Sequence, residues 1–154
     1  MKRVLGLVAV SALFVSAIAF QGGPAPKASV KLTKQASKPG ETLKATVMLT
    51  FADGYHGYQN PPSDEFQKPV SVAIVGKDFK LTPVKYPVGS DYKMEGEAKP
   101  YKIYKGAVSI PIEFLAPKKA GTYDLKLEIS YQQCTDRDCY PPSTVKTSLK
   151  VKVG

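Results

Sequence analysis

Two cysteines, Cys134 and Cys139, are the clearest candidates for chemistry in this 154-residue sequence, which also contains one histidine and no tryptophan. Four residues separate the two cysteines. That is the length of a hairpin loop, so the sulfurs can come within disulfide-bonding distance. Two cysteines and one histidine cannot form a four-thiolate zinc site, a disulfide-rich scaffold or a blue-copper site. Any chemistry of the chain is therefore expected to depend on these two sulfurs.

This cysteine pair is either a structural clip or a redox centre. Closing a loop of about six residues constrains the unfolded chain by roughly 2 kcal/mol, against about 5 kcal/mol for a 100-residue loop. Ile129 and Tyr131 point inward in the preceding strand pattern, so Cys134 has the opposite parity and is predicted to be accessible to a partner's thiol. The spacing is not the thioredoxin C-x-x-C, and no helix N-terminus is expected to lower a thiol pKa. An active pair would therefore exchange with a partner whose own cysteine is activated.

Apolar and polar residues alternate along much of the sequence, which is typical of strands with one buried and one solvated face. Four segments carry this pattern: 43–51, 108–114, 123–131 and 145–153. Pro and Gly separate the segments, and no helical period follows the first 20 residues. About seven to nine short strands are expected, which predicts an all-β fold, an immunoglobulin-like antiparallel β-sandwich, with a small barrel as the alternative. Pro111 inside one pattern indicates a sheet edge or a bulge.

The N-terminus has the features of an export signal. A basic start is followed by an apolar run to Phe20 that contains Ala-Ile-Ala, which predicts a signal peptide over residues 1–19, cleaved after Ala19. An uncleaved anchor is the alternative, but a run of about 17 residues is short for a membrane span. Residues 20–27 are expected to form a flexible lead and residues 28–154 the folded domain. No stable membrane insertion is expected after cleavage.

The formal net charge of +9 raises the question of a nucleic-acid or membrane partner. Only Arg3 and Arg137 among the 22 basic residues are arginines, and the lysines are scattered along the chain. Nucleic-acid recognition depends on arginine forks and aromatic platforms, so no nucleic-acid partner is expected. Lys146, Lys150 and Lys152 stand at alternate positions, which indicates the solvated outer face of a sheet.

One segment, residues 86–102, loses the alternation and becomes polar. A loop of this length in a compact domain is usually a functional lid or a mobile connection, and the residues alone favour neither. Tyr92 and Met94 are the large side chains at its centre.

The motif Tyr-Gln-x-Cys134, four residues, then Cys139-Tyr-Pro-Pro resembles the active-site hairpin of the N-terminal periplasmic domain of the DsbD family of disulfide reductases. Residues 53–58 are similar to the family strand that places an aromatic pair beside the cysteines. Residues 103–111 are similar to the strand after the family's cap loop. The resemblance implies an immunoglobulin-like fold, a periplasmic location, and thioredoxin-like proteins or domains and a membrane electron conduit as partners.

The resemblance also implies roles for individual residues. Cys139 would form the mixed disulfide with a partner, and Cys134 would resolve it. His56 and Tyr58 match the aromatic pair, and the segment 86–102 would be a cap whose Tyr92 or Met94 covers the sulfur. The four-residue spacing departs from the five residues of the best-known members.

Other candidate site residues are Tyr131 and Tyr140, which flank the cysteines and either pack the hairpin or face a partner. We therefore expect a monomeric periplasmic thiol–disulfide exchange protein, acting as a thiol:disulfide oxidoreductase without a metal or cofactor. The alternative is a non-enzymatic immunoglobulin-like binding or accessory module whose hairpin disulfide is structural.

Overall fold

The computed structural model describes residues 23–94 and 96–154. Twelve strands occur in this part of the chain. In chain order they are β1 (Lys27–Leu32), β2 (Ala36–Ser37), β3 (Thr42–Thr50), β4 (His56–Tyr58), β5 (Ser71–Val75), β6 (Lys80–Leu81), β7 (Ser90–Tyr92), β8 (Tyr101–Lys105), β9 (Ala107–Leu115), β10 (Gly121–Tyr131), β11 (Gln133–Cys134) and β12 (Ser143–Val153). Within those residues, no helix is long and apolar enough to cross a membrane.

Two four-stranded sheets, in the orders β1-β3-β9-β6 and β2-β12-β10-β5, form the sandwich. The longest ladders are antiparallel: β3 pairs with β9 over nine residues of each strand, and β10 pairs with β12 over eleven. The short contact of β2 with β12 is parallel. The predicted immunoglobulin-like antiparallel β-sandwich is therefore confirmed.

The inward-facing side chains of both sheets form one apolar core. Except for Val70, its fully buried members come from the predicted alternating patterns: Leu43, Val47, Leu49, Ile110, Ile112, Phe114, Leu125, Leu127, Ile129 and Val151. Polar residues occupy the opposite face, where Lys146 forms a cross-strand ion pair with Glu128 at 2.9 Å. The alternation thus predicted which side chains enter the core.

Pro111 lies in β9, opposite Thr46 of β3. On its other side, β9 pairs with β6 only at Phe114 and Leu115, so Pro111 lies beyond the end of β6. A proline has no N–H to donate, and at this position no strand lies on that side of β9 to accept a hydrogen bond. β9 is an inner strand of its sheet, so the predicted edge is present only locally, where β9 has a paired strand on one side.

A third sheet, in the order β11-β4-β8-β7, stands apart from the two main sheets and carries the cysteines. It has a small apolar cluster of its own, formed by Tyr58, Ile103 and Cys134, against which Tyr92 and Tyr101 pack. Its strands are short, with two to five residues each. We call this the site sheet.

Two predicted segments differ from expectation. Residues 86–102 are not a continuous loop, because β7 pairs with β8 from Ser90↔Ile103 to Tyr92↔Tyr101. The predicted lead overlaps the fold, because Lys27 begins β1 and Pro26 is buried. The signal peptide predicted for residues 1–19, and residues 20–22 of the lead, lie outside the described residues.

Candidate active site

Cys134 and Cys139 form a disulfide bond, as their spacing allows. The intervening loop is a tight turn, in which the backbone N–H of Thr135 donates to the carbonyl of Asp138 at 2.8 Å. The Thr135 hydroxyl accepts hydrogen bonds from the backbone N–H groups of Arg137 and Asp138. These local bonds hold the two cysteines in one rigid hairpin, which we call the cysteine hairpin.

The two sulfurs differ in their access to solvent. Cys139 is exposed, whereas Cys134 is 0% exposed. The prediction that Cys134 points outward and is accessible is therefore wrong. The strand β10 ends at Tyr131, and Gln133 is still buried as the alternation predicts. Gln133 and Cys134 then pair with β4 in the site sheet instead of continuing beside β12, and Cys134 is buried there as well. Only Cys139 can be reached by another protein's thiol.

Tyr58 lies against both sulfurs of the disulfide. Its hydroxyl oxygen is 3.4 Å from Cys139 Sγ and 3.5 Å from Cys134 Sγ. Burial raises the pKa of Tyr58, and the negative charge of Glu97 raises it further. A disulfide sulfur carries no proton, so the protonated hydroxyl is the donor. The same hydroxyl can donate to whichever sulfur becomes a thiolate when the bond opens.

His56 is buried two residues before Tyr58 in the same strand, where β4 pairs His56 with Cys134. Burial lowers its pKa, and the smaller opposing effect is the charge of Asp136. The imidazole is therefore neutral at neutral pH. Its Nε2 has no hydrogen-bond partner among the described residues, and its ring lies 4.7 Å from that of Tyr92. The structure thus places this predicted neighbour beside Cys134.

Tyr92 contacts the cysteine hairpin through Asp136, since its hydroxyl donates to Asp136 Oδ1 at 2.6 Å. Its ring also packs against Tyr101, with ring centroids 5.5 Å apart. Met94 lies on the wall of the cleft that Cys139 lines. Both residues predicted for the cap are therefore near the site, while Cys139 itself is exposed.

The flanking tyrosines support the hairpin from the body of the domain. Tyr131 is buried in the main core, where its ring meets Phe51 edge-on at 6.3 Å. Tyr140 is half-buried, and its ring lies 6.2 Å from that of Tyr55. Packing is thus the role that the contacts of Tyr131 support.

An open cleft of about 760 Å³ lies beside Cys139. Its lining residues come from β4 and the loop after it, the β7–β8 turn and the start of β8, and the cysteine hairpin with Gln132 before it: Tyr58, Ser63, Asp64, Phe66, Gln67, Met94, Glu97, Ala98, Lys99, Pro100, Tyr101, Gln132, Arg137 and Cys139. The sequence did not predict three residues near the cysteines: Tyr101 and Asp136, which contact the predicted site residues, and Phe66, which lies on the cleft wall. Tyr101 could have been found from its alternation with Ile103, whereas no local signal marks Phe66.

This arrangement can perform nucleophilic exchange at one sulfur. Cys139 presents an open face to an attacking thiolate, and Cys134 is a buried leaving group with a hydroxyl donor beside it. The described residues contain no group of three or more His, Cys, Asp or Glu side chains that could hold a metal ion.

Known proteins share this domain. A family model described as "Thiol:disulfide interchange protein DsbD, N-terminal" matches residues 26–151. The thiol:disulfide interchange protein DsbD of Actinobacillus pleuropneumoniae serotype 5b (strain L20) is 29% identical over 100 residues. That match covers 64% of this chain and 14% of the relative, so the chain spans only a small part of the relative's length.

Two solved structures are similar to this domain. The N-terminal periplasmic domain of ScsB from Proteus mirabilis has a TM-score of 0.53 and 14% identity, over 80% of this chain and 44% of that chain. The reduced DsbD N-terminal domain of Neisseria meningitidis has a TM-score of 0.47 and 21% identity, over 79% of this chain and 82% of that one. The ScsB likeness supports the fold alone. Because the family match extends over most of the sequence, the chain belongs to the family of N-terminal domains of the thiol:disulfide interchange protein DsbD.

Proposed function

We propose that this protein is a periplasmic thiol–disulfide exchange domain whose Cys134–Cys139 pair cycles between disulfide and dithiol. The observation that supports this function best is the unequal exposure of the two sulfurs, with Tyr58 within 3.5 Å of both. A structural clip has no need for one open sulfur and one shielded sulfur that share a hydroxyl donor.

In the oxidised protein, a partner's thiolate attacks Cys139 Sγ. A bond forms between the partner's sulfur and Cys139, the Cys134–Cys139 bond breaks, and Cys134 leaves with the electron pair. The Tyr58 hydroxyl donates a hydrogen bond to this leaving thiolate. A second thiol of the partner then displaces Cys139, so the partner ends as a disulfide and this domain as a dithiol.

In the reverse direction, the Cys139 thiolate attacks a partner's disulfide and forms the mixed disulfide. Cys134 then attacks Cys139 Sγ, which releases the partner as a dithiol and restores the disulfide of this domain. Cys139 makes the intermolecular bond in both directions because the chain buries Cys134 completely. Cys134 is the resolving cysteine.

The partners proposed here are thioredoxin-like proteins or domains and a membrane electron conduit, as the family resemblance implies. The family is periplasmic, and the proposed route to that compartment is export with cleavage after Ala19. The cap proposed from the resemblance corresponds to the β7–β8 hairpin, with Tyr92 bound to the cysteine hairpin and Met94 on the wall of the cleft. We propose that the domain acts as a monomer.

The test is capture of a mixed disulfide by single-cysteine variants. Cys134→Ser leaves the exposed Cys139 without its resolving partner, so it should hold a thioredoxin-like protein in a disulfide complex on a non-reducing gel. Cys139→Ser is the matched control and should capture little, because Cys134 is buried. Capture by neither variant, together with a reduction potential below about −300 mV, would identify a structural disulfide and contradict the proposal.

A further inference from the structure

Phe66 stands on the wall of the cleft that Cys139 lines, and 82% of its surface is exposed. An aromatic side chain of this size contributes apolar area when another surface covers it. The main core does not use it, and the exchange chemistry does not require it. Its exposure beside the reactive sulfur calls for a separate explanation.

The backbone around Phe66 is ordered by hydrogen bonds. The N–H of Phe66 donates to Asp64 Oδ1 at 2.9 Å, and the N–H of Ser63 donates to Gln67 Oε1 at 3.0 Å. The same turn is tied to the site sheet, because the N–H of Lys102 donates to the Ser63 hydroxyl at 3.1 Å. The backbone that carries Phe66 is thus fixed, so little backbone entropy is lost when a partner covers the side chain.

We propose that Phe66 is the apolar anchor on which a thioredoxin-like partner docks during exchange at Cys139. This inference rests on the proposed function. A partner's sulfur must come within bonding distance of Cys139, and a protein interface of ordinary size covers about 800 Å² on each side. Because Phe66 and Cys139 line the same cleft, an interface of that size centred on Cys139 would extend over Phe66. The partner that fits is one whose surface beside its reactive cysteine is apolar.

The charged residues of the cleft favour an apolar anchor over electrostatic attraction. Asp64 and Glu97 contribute two negative charges, and Lys99 and Arg137 contribute two positive ones, so the formal charges cancel. A surface without net charge gives little long-range steering. Phe66, with the neighbouring Met94, is then the feature that distinguishes a matching partner.

The experiment compares Phe66→Ser with Val88→Ser. Val88 is also 82% exposed but does not line the cleft, which makes it a matched control. Reduction of the disulfide is measured with two reductants, reduced bacterial thioredoxin and dithiothreitol. Phe66→Ser should lower kcat/KM with thioredoxin about tenfold and leave the rate with dithiothreitol unchanged, because the small reductant needs no docking surface. Val88→Ser should leave both rates unchanged.

Equal rates of wild type and Phe66→Ser with thioredoxin would overturn the docking role. An equal loss with dithiothreitol would also overturn it, since the substitution would then act on the disulfide itself. If the wild type does not exchange with thioredoxin at all, the proposed function fails and this inference with it. The first two results concern only the rates of Phe66→Ser, whereas the third concerns the wild type, so a failure of this inference can be told from a failure of the proposed function.

Discussion

The hydroxyl of Tyr92 donates a 2.6 Å hydrogen bond to Asp136, and this bond joins β7 to the loop between the two cysteines. The two residues are 44 positions apart in the sequence. The Tyr92 ring also lies against His56, which pairs with Cys134 in the neighbouring strand. One side chain thus connects the β7–β8 hairpin to the loop between the cysteines and to the strand that pairs with Cys134.

Tyr92→Phe should destabilise the protein modestly at pH 8, by about 0.5–1 kcal/mol, because the lost bond is near the surface. The Asp136 carboxylate, by accepting this bond, raises the pKa of Tyr92 to about 12. The folded state therefore holds the tyrosine proton more tightly than the unfolded state, in which the pKa is about 10. The stabilisation is complete below pH 10 and is lost as the pH rises towards 12.

Urea unfolding of wild type and Tyr92→Phe at pH 8 and above pH 10 measures this difference. Asp136→Ala removes the acceptor and serves as the second arm of a double-mutant cycle. The effects of the two substitutions on the unfolding free energy should not be additive. Full additivity would contradict the assignment of the stabilisation to this hydrogen bond.

Tyr58→Phe should slow reduction of the disulfide by dithiothreitol by a factor of about 10 to 150, since hydrogen bonds to charged groups contribute about 1.5–3 kcal/mol. The lost hydroxyl is the donor to the leaving sulfur. Tyr101→Phe is the control, because its ring packs against Tyr58 at 5.6 Å while its hydroxyl has no part in the proposed step. A Tyr58→Phe variant that is reduced as fast as the wild type would show that the hydroxyl does not assist the step.

The stability of the protein should fall as the pH drops below about 6.5, in part through His56. Burial lowers the pKa of His56, so below that pH the unfolded state binds a proton that the folded state resists. His56 therefore lowers the free energy of unfolding below about pH 6.5 and has no such effect at higher pH. His56→Gln removes this titration, and the difference in unfolding free energy between the two proteins should shrink or reverse between pH 7.5 and 5.5. A difference that does not change with pH would contradict the prediction.

Gly57→Ala should destabilise the protein by about 1–3 kcal/mol, the usual cost of overpacking a core. A Cβ at this position would lie 2.6 Å from Cζ of Phe51 and 3.4 Å from Cγ2 of Val70. Phe51 is itself buried, so it has little room to move. Urea unfolding gives the cost, and the same substitution in a Phe51→Leu background should cost less. An equal loss of unfolding free energy in both backgrounds would show that the strain does not arise from contact with Phe51.

The sandwich was predictable from the sequence because the pattern that specifies its strands is local. Alternation along segments such as 43–51 and 123–131 directly states which side chains face the core, and the structure places Val47 and Leu127 there. The same rule failed at Cys134, because it assumes that a strand continues. Gln132 breaks the strand, and the partner of β11 is β4, which lies far earlier in the chain. Alternation carries no information about such a change of sheet.

The site was predictable only in part, for the same physical reason. Cys134 and Cys139 were found from their spacing, and His56 and Tyr58 from the family resemblance. The contact of Tyr92 with Asp136 and the position of Phe66 beside Cys139 depend on how separate loops meet in three dimensions. No local pattern in a single sequence indicates such contacts between distant loops.

The sulfur of Cys134 is both a reacting atom and a packing atom, because it belongs to the small apolar cluster of the site sheet with Tyr58 and Ile103. Opening the disulfide separates the two sulfurs and so changes the shape of that cluster. The packing around Ile103, which is 2% exposed and has no reactive group, should therefore differ between the oxidised and the reduced domain. The methyl resonances of Ile103 would therefore report oxidation and reduction of the domain without any label on the cysteines.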